Sequence, residues 1–262
     1  MNSGAKQVKS HSRKVLAVVL LCSATVAGAA PATWNASGTA FTFDNITLQT
    51  YSNVDVTGGT AFTTQGFLNL FSFQNGATLT QLPNVGITGA PYSLYVAFTG
   101  TGTQSPTVPS VGSFSTLNYT LFQASGVTSF ADSNSDGIFE AFGGPATALG
   151  TGSLIAGTSI TTSSPAGSTA AATTLFVPDS GAGSFFVDPN VATVLTIATA
   201  FTATGTVTKL IPLGGGDFRL SINGGGGNAT VSPIPEPGVY AMMLSGLGLV
   251  GFAARRRRSK VC

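Results

Sequence analysis

Short runs of alternating apolar and polar residues recur through the middle of this 262-residue chain. Successive side chains of a β-strand point to opposite faces, so each run predicts a half-buried strand. Clusters of Gly, Asn, Ser and Pro separate the runs, and no long helical periodicity lies between residues 30 and 234. We therefore expect an all-β fold, an antiparallel β-sandwich of eight to ten strands in jelly-roll or Ig-like order. The runs are 41–48, 67–73, 92–98, 117–121, 195–201 and 218–222.

One of these runs changes phase. Apolar residues occupy odd positions up to Phe43 and even positions from Ile46 onward, with Asp44 and Asn45 at the change. An extra residue in a strand has this effect, so the pattern predicts a β-bulge there.

The N-terminus reads as an export signal. Four basic residues precede residue 15, residues 15–26 are apolar, and a small-residue pattern ends at Ala29. This order is typical of a secretory signal peptide. We expect residues 1–29 to be removed by cleavage between Ala29 and Ala30.

The C-terminus carries a second apolar segment. Sixteen residues without a charge, 239–254, follow the tripeptide Pro235, Glu236, Pro237. As a helix they would rise about 24 Å, and snorkelling arginines can cover the remaining distance across a ~30 Å hydrocarbon core. The positive cluster after the segment predicts a cytoplasmic end. It consists of Arg255, Arg256, Arg257 and Arg258.

This order of tripeptide, short apolar helix and arginine cluster resembles the PEP-CTERM sorting domain of Gram-negative exoproteins. The resemblance implies an exosortase as partner, which cleaves near Pro235–Pro237 after a transient stay in the inner membrane. It implies a secreted, matrix or cell-surface location. An ordinary C-terminal tail anchor is the alternative. The expected organisation is a signal peptide (1–29), a β-sandwich ectodomain (30–223), a Gly-rich linker (224–234) and a sorting signal (235–262).

The charge of the body differs from that of its ends. Between residues 30 and 234 the chain has two basic residues, Lys209 and Arg219, against eight acidic ones, a net charge of −6. Nucleic-acid binding depends on basic surface that neutralises phosphates. We therefore expect no nucleic-acid partner.

The body also lacks the usual catalytic side chains. His11, Cys22 and Cys262 lie in the end segments, so the body contains neither His nor Cys. This excludes Ser-His-Asp triads, Cys-His dyads and His-ligated zinc. Paired carboxylates of the glycosidase type stay open as an alternative. We expect a protein that is not an enzyme.

One stretch has the chemistry of a calcium loop. Asp132, Asn134 and Asp136 are spaced by two and followed by Gly137, and the carbonyl of Ile138 would be a fourth oxygen ligand. The bidentate Glu of an EF-hand is missing, since its position is occupied by Gly143. The sequence thus predicts either a calcium site or a solvated polar turn, and no other cofactor.

A second resemblance covers part of the body. Residues 92–95, 98–102 and 112–117, together with the 132–136 loop, resemble the flocculation-associated subgroup of PEP-CTERM proteins. That resemblance implies a non-catalytic exopolysaccharide-matrix protein that acts in flocculation or biofilm formation. The alternative is a carbohydrate-binding module, dependent on calcium or not.

Overall fold

The computed structural model describes residues 31–36, 39–81, 92–106, 110–163, 166–188 and 197–233. They form β-strands and one short 3-10 helix, Ser180–Ala182. The strands are Ala32–Ala36 (β1), Thr39–Phe43 (β2), Asn45–Thr57 (β3), Ala61–Asn75 (β4), Thr78–Gln81 (β5), Tyr92–Gln104 (β6), Ser110–Ser125 (β7), Ser129–Ala131 (β8), Glu140–Phe142 (β9), Ala146–Ser163 (β10), Ala166–Pro178 (β11), Phe186–Asp188 (β12), Ile197–Gly214 (β13) and Asp217–Pro233 (β14).

All strand pairs are antiparallel, so the predicted all-β antiparallel class is confirmed. None of the helices in the described ranges is long and apolar enough to cross a membrane. The predicted signal peptide and the predicted membrane helix lie outside the described residues.

The large sheet closes on itself. Its order is β3-β14-β13-β11-β10-β7-β6-β4-β5, and β3 pairs in addition with β4. Eight strands therefore form a closed cylinder in which each strand lies beside its chain neighbours, and β5 extends beside β4. The predicted jelly-roll or Ig-like order is wrong for the described strands, which follow a meander. Alternating hydrophobicity shows which face a residue occupies but not which strand lies next to it.

A three-stranded sheet, in the order β12-β1-β2, packs at one end of the cylinder. Trp34 of β1 lies among aromatic rings, with centroid distances of 4.7 Å to Phe43, 5.5 Å to Phe73 and 5.7 Å to Phe186. All four side chains are buried, and burial of each contributes on the order of 2–3 kcal/mol. This aromatic cluster is the main hydrophobic core of the described residues.

Near residue 44, where the sequence predicts a bulge, the structure instead has a boundary between two sheets. β2 ends at Phe43 in the small sheet, and β3 begins at Asn45 in the cylinder. The change of phase arises because the two strands face the same core from different sheets.

The segment predicted as a linker, 224–234, is a strand as far as Pro233. Ala229 pairs with Phe201 of β13 on one side and with Ile46 of β3 on the other. Ladder hydrogen bonds from two neighbours offset the conformational entropy that the glycines lose. The glycine run is marked by an irregular register after Asn223, where Gly224 has a φ of +61°.

Glycines inside the cylinder make room for aromatic rings. Gly152 of β10 lies opposite Tyr119 of β7 and Phe176 of β11, whose rings are nearly parallel at a centroid distance of 6.1 Å. A Cβ on Gly152 would lie 2.0 Å from Cζ of Tyr119. The interior of the cylinder therefore has no room for a side chain at position 152.

We expect Gly152→Ala to lower the free energy of unfolding by about 1–3 kcal/mol, because overpacking forces neighbours out of their rotamers. Thr151→Ala is the matched control, since Thr151 is the adjacent residue of β10 and is exposed. It should stay within about 0.5 kcal/mol of wild type. Denaturant unfolding measures the free energy of unfolding of both variants. Equal values for Gly152→Ala and Thr151→Ala would contradict the close packing around Gly152.

Candidate functional site

The connection between β7 and β10, residues 126–145, folds over the outer face of the cylinder; we call it the flap. Its anchor is Phe130, whose ring centroid lies 5.1 Å from that of Tyr51, 5.0 Å from Phe67 and 5.5 Å from Tyr95. These partners belong to β3, β4 and β6. Burial raises the pKa of Tyr51 and that of Tyr95. The flap thus covers an aromatic stripe that crosses three strands.

An arginine of β14 ties the flap to the cylinder. Arg219 Nε and Nη2 donate to the two carboxylate oxygens of Asp55, at 2.6 and 2.7 Å, and Nη1 donates to the carbonyl of Asp136 at 3.0 Å. Bidentate pairing of this kind is geometrically specific. The hydrogen bonds with Arg219 hold the pKa of Asp55 below its usual value. The same interactions raise the pKa of Arg219.

A lysine of β13 makes the second ionic contact with the flap. Lys209 Nζ lies 2.5 Å from Oδ2 of Asp132, whose side chain is only 8% exposed. The hydrogen bond from Lys209 lowers the pKa of Asp132. Lys209 and Arg219 are the two basic residues between positions 30 and 234, and both contact the flap.

The residues predicted as calcium ligands share one turn between β8 and β9. Their side-chain oxygens accept backbone hydrogen bonds: Asn134 Oδ1 from Asp136, Asp136 Oδ1 from Ile138, and Asp132 Oδ2 from Gly137, at 3.2, 2.8 and 3.2 Å. Gly137 has a φ of +84°, and a Cβ there would lie 3.0 Å from Cδ of Arg219. The predicted polar loop is present, and its oxygens stabilise its own backbone.

Within the described part of the chain, no three His, Cys, Asp or Glu side chains are grouped to hold a metal ion. Asp132 Oδ1 is buried and has no hydrogen-bond partner among the described residues. A cation at Asp132 would lie close to the ammonium group of Lys209, which already pairs with Oδ2. The calcium site with Asp132, Asn134, Asp136 and Ile138 stays a prediction.

Sequence reasoning missed the partners of this loop. Asp55, Lys209 and Arg219 are distant from it in the chain, and no local motif surrounds them. The available signal was global: with two basic residues in an acidic body, each cation is expected to lie beside carboxylates.

The remaining predicted site residues lie outside the described ranges. They are the cleavage residues Ala29 and Ala30 and the sorting-signal residues Pro235, Glu236, Pro237, Arg255, Arg256, Arg257 and Arg258.

Comparison with known families identifies the C-terminal segment. Residues 233–258 match the family model described as the PEP-CTERM protein-sorting motif. No curated protein and no solved structure matches the chain. The chain therefore carries the sorting motif of an exosortase substrate, and the predicted PEP-CTERM motif is confirmed. This motif implies recognition by an exosortase.

The ionic contacts of the flap should make the protein less stable in acid. The pKa of Asp55 is lower in the folded state than its usual 3.8, so the unfolded chain binds more protons as the pH falls through that value. The free energy of unfolding should therefore decrease from about pH 4 downward. Asp132 adds to this decrease, because its pKa is lowered in the folded state as well. Asp55→Asn and Arg219→Gln should each make the decrease shallower. Urea unfolding at several pH values measures it, and three equal slopes would contradict the pairing.

Calcium in the loop would compete with Lys209 for the negative charge of Asp132. Binding to the native state alone stabilises by ~2.7 kcal/mol at 100 times Kd. Since ~1 kcal/mol shifts Tm by roughly 2–4 °C in a domain of this size, millimolar calcium should raise Tm by several degrees for a Kd in the tens of micromolar. Asp136→Ala should abolish the rise, and Lys209→Gln should enlarge it by removing the competing cation. Identical melting in calcium and in chelator would identify the loop as an ordinary polar turn.

Proposed function

We propose that this exported, exosortase-sorted protein is a non-catalytic component of an extracellular polysaccharide matrix. In this proposal it contributes to flocculation or biofilm formation by a Gram-negative bacterium. The PEP-CTERM motif at residues 233–258 carries the proposal, because it directs the body to the outside of the cell. The finer part rests on the flocculation-type resemblance alone, whose residues lie in β6, β7 and the flap.

The electrostatics around the flap favour a structural use of two carboxylates, Asp132 of the flap and Asp55 of β3. A glycosidase acid must keep its proton near neutral pH, which requires a raised pKa. Asp55 and Asp132 instead have lowered pKa values, because Arg219 and Lys209 stabilise their charged forms. These two carboxylates therefore suit ion pairing rather than proton donation.

The end of β14 supports a mechanism of release. The sorting motif begins at residue 233, which is also the last residue of β14. Five residues, 234–238, separate that strand from the predicted membrane helix at 239–254. Fully extended, they reach about 18 Å. In this proposal the body stays close to the membrane until cleavage near Pro235–Pro237 frees it.

Carbohydrate binding by the body is the second candidate, and it describes how the protein would be retained in the matrix. The observation in its favour is an uncharged polar trough on the outer face of the cylinder.

Processing is tested by the mass of the exported protein. Material from the culture medium of a producing strain should lack residues 239–262. Replacement of Pro235, Glu236 and Pro237 by Ala should leave the protein in the membrane fraction, because the peptidase loses its recognition sequence. Intact-mass spectrometry and fractionation measure both, and a medium species that retains Arg255–Arg258 would contradict exosortase sorting.

The matrix role is tested in the producing organism. Deletion of the gene should slow the sedimentation of cell aggregates and reduce the polysaccharide retained with the cells. The full-length gene should restore both, whereas a gene lacking codons 235–262 should restore neither. A deletion strain that aggregates as its parent does would refute the role in flocculation.

A further inference from the structure

A trough of about 620 Å³ lies on the outer face of the cylinder, beside the flap. It crosses β4, β6, β7, β10 and β11. Register places Gln65, Thr99, Asn118 and Ser153 side by side in one cross-strand row, and Thr120 and Thr151 face each other in the next. The sheet thus presents ordered rows of hydrogen-bonding side chains.

These six side chains are available to a ligand. None of them has a side-chain hydrogen bond to another described residue. All are exposed except Thr120, which is half-buried. An amide group both donates and accepts hydrogen bonds, and so does a hydroxyl group. The rows can therefore bind a partner that carries many hydroxyl groups.

The trough carries no charge. No Asp, Glu, Lys or Arg lines it, although the body has a net charge of −6. The ionic groups Asp55, Asp132, Lys209 and Arg219 pair with each other instead. A charged polymer would find no counter-charge here to offset the loss of its hydration, whereas a neutral polymer can replace the water on its hydroxyl groups by hydrogen bonds to the rows.

Apolar surface borders the polar rows. Phe122 is half-buried and stacks on Tyr95, with ring centroids 5.3 Å apart and an interplanar angle of 21°. Phe139 of the flap and Val177 of β11 also line the trough. Rings with one polar edge and one apolar face, as in sugars, fit such a border of aromatic and aliphatic groups.

The direction of the trough favours an extended chain. Neighbouring strands are ~4.8 Å apart, so a row across five strands is about 19 Å long. The cavity that the described residues enclose inside the cylinder is much smaller, at about 70 Å³. We propose that the trough binds a stretch of neutral polysaccharide lying across the strands. This inference rests on the proposed matrix function and adds the site and the ligand class.

Affinity electrophoresis of the processed protein tests the proposal. Native gels contain dextran or hydroxyethyl cellulose as neutral polymers, or alginate as an acidic one. The trough variant is Asn118→Ala with Thr151→Ala. The control is Asn223→Ala with Thr173→Ala, which removes the same groups from exposed positions outside the trough. Equal melting temperatures of the three proteins verify their folding.

We expect at least one neutral polymer to retard the wild type and the control equally. The trough variant should bind it with a Kd about ten-fold higher, the effect of losing two hydrogen bonds. Retardation of the trough variant equal to wild type would overturn the site. Retardation by alginate alone would contradict the proposal that the ligand is neutral. Retardation by no polymer would overturn the inference, while the aggregation assay decides the matrix role separately.

Discussion

β3 has hydrogen-bonded neighbours along both of its edges, β14 and β4, and the rest of the structure depends on this closure. An open sheet of this length would present two long unpaired edges, which invite aggregation. The body has no Cys between residues 30 and 234, so no disulfide supports it. Its cohesion comes from the strand ladders, the aromatic core at one end and the close packing inside. Because β14 is the last of the described strands, closure requires the chain to be synthesised at least as far as Pro233.

Closure also determines where chemistry can take place. Among the described residues, the rings of Tyr119 and Phe176 flank Gly152, and an interior cavity of about 70 Å³ is far below the ~300–1,000 Å³ of typical ligand pockets. The outer face carries the larger trough of about 620 Å³. The flap and the trough lie side by side on that face, the former with paired charges and the latter with none.

Local features of the fold were predictable from the sequence, and long-range ones were not. Alternation from Tyr92 to Phe98 correctly predicted β6, and the residues spaced by two, Asp132, Asn134 and Asp136, do lie in one turn. The meander order and the glycine-rich end of β14 depend on which strands meet, which alternation does not encode. The same holds for Arg219 beneath the loop, since its contact with Asp136 joins residues 83 positions apart.

The flap connects the charged loop with the trough. Phe139 lines the trough and also packs on Tyr51, at a ring-centroid distance of 5.8 Å. Asp132, at the other end of the same loop, is held by Lys209. The charged loop and one wall of the trough therefore belong to a single segment, whose position is set by the contacts of Lys209, Arg219 and Phe130 with the strands.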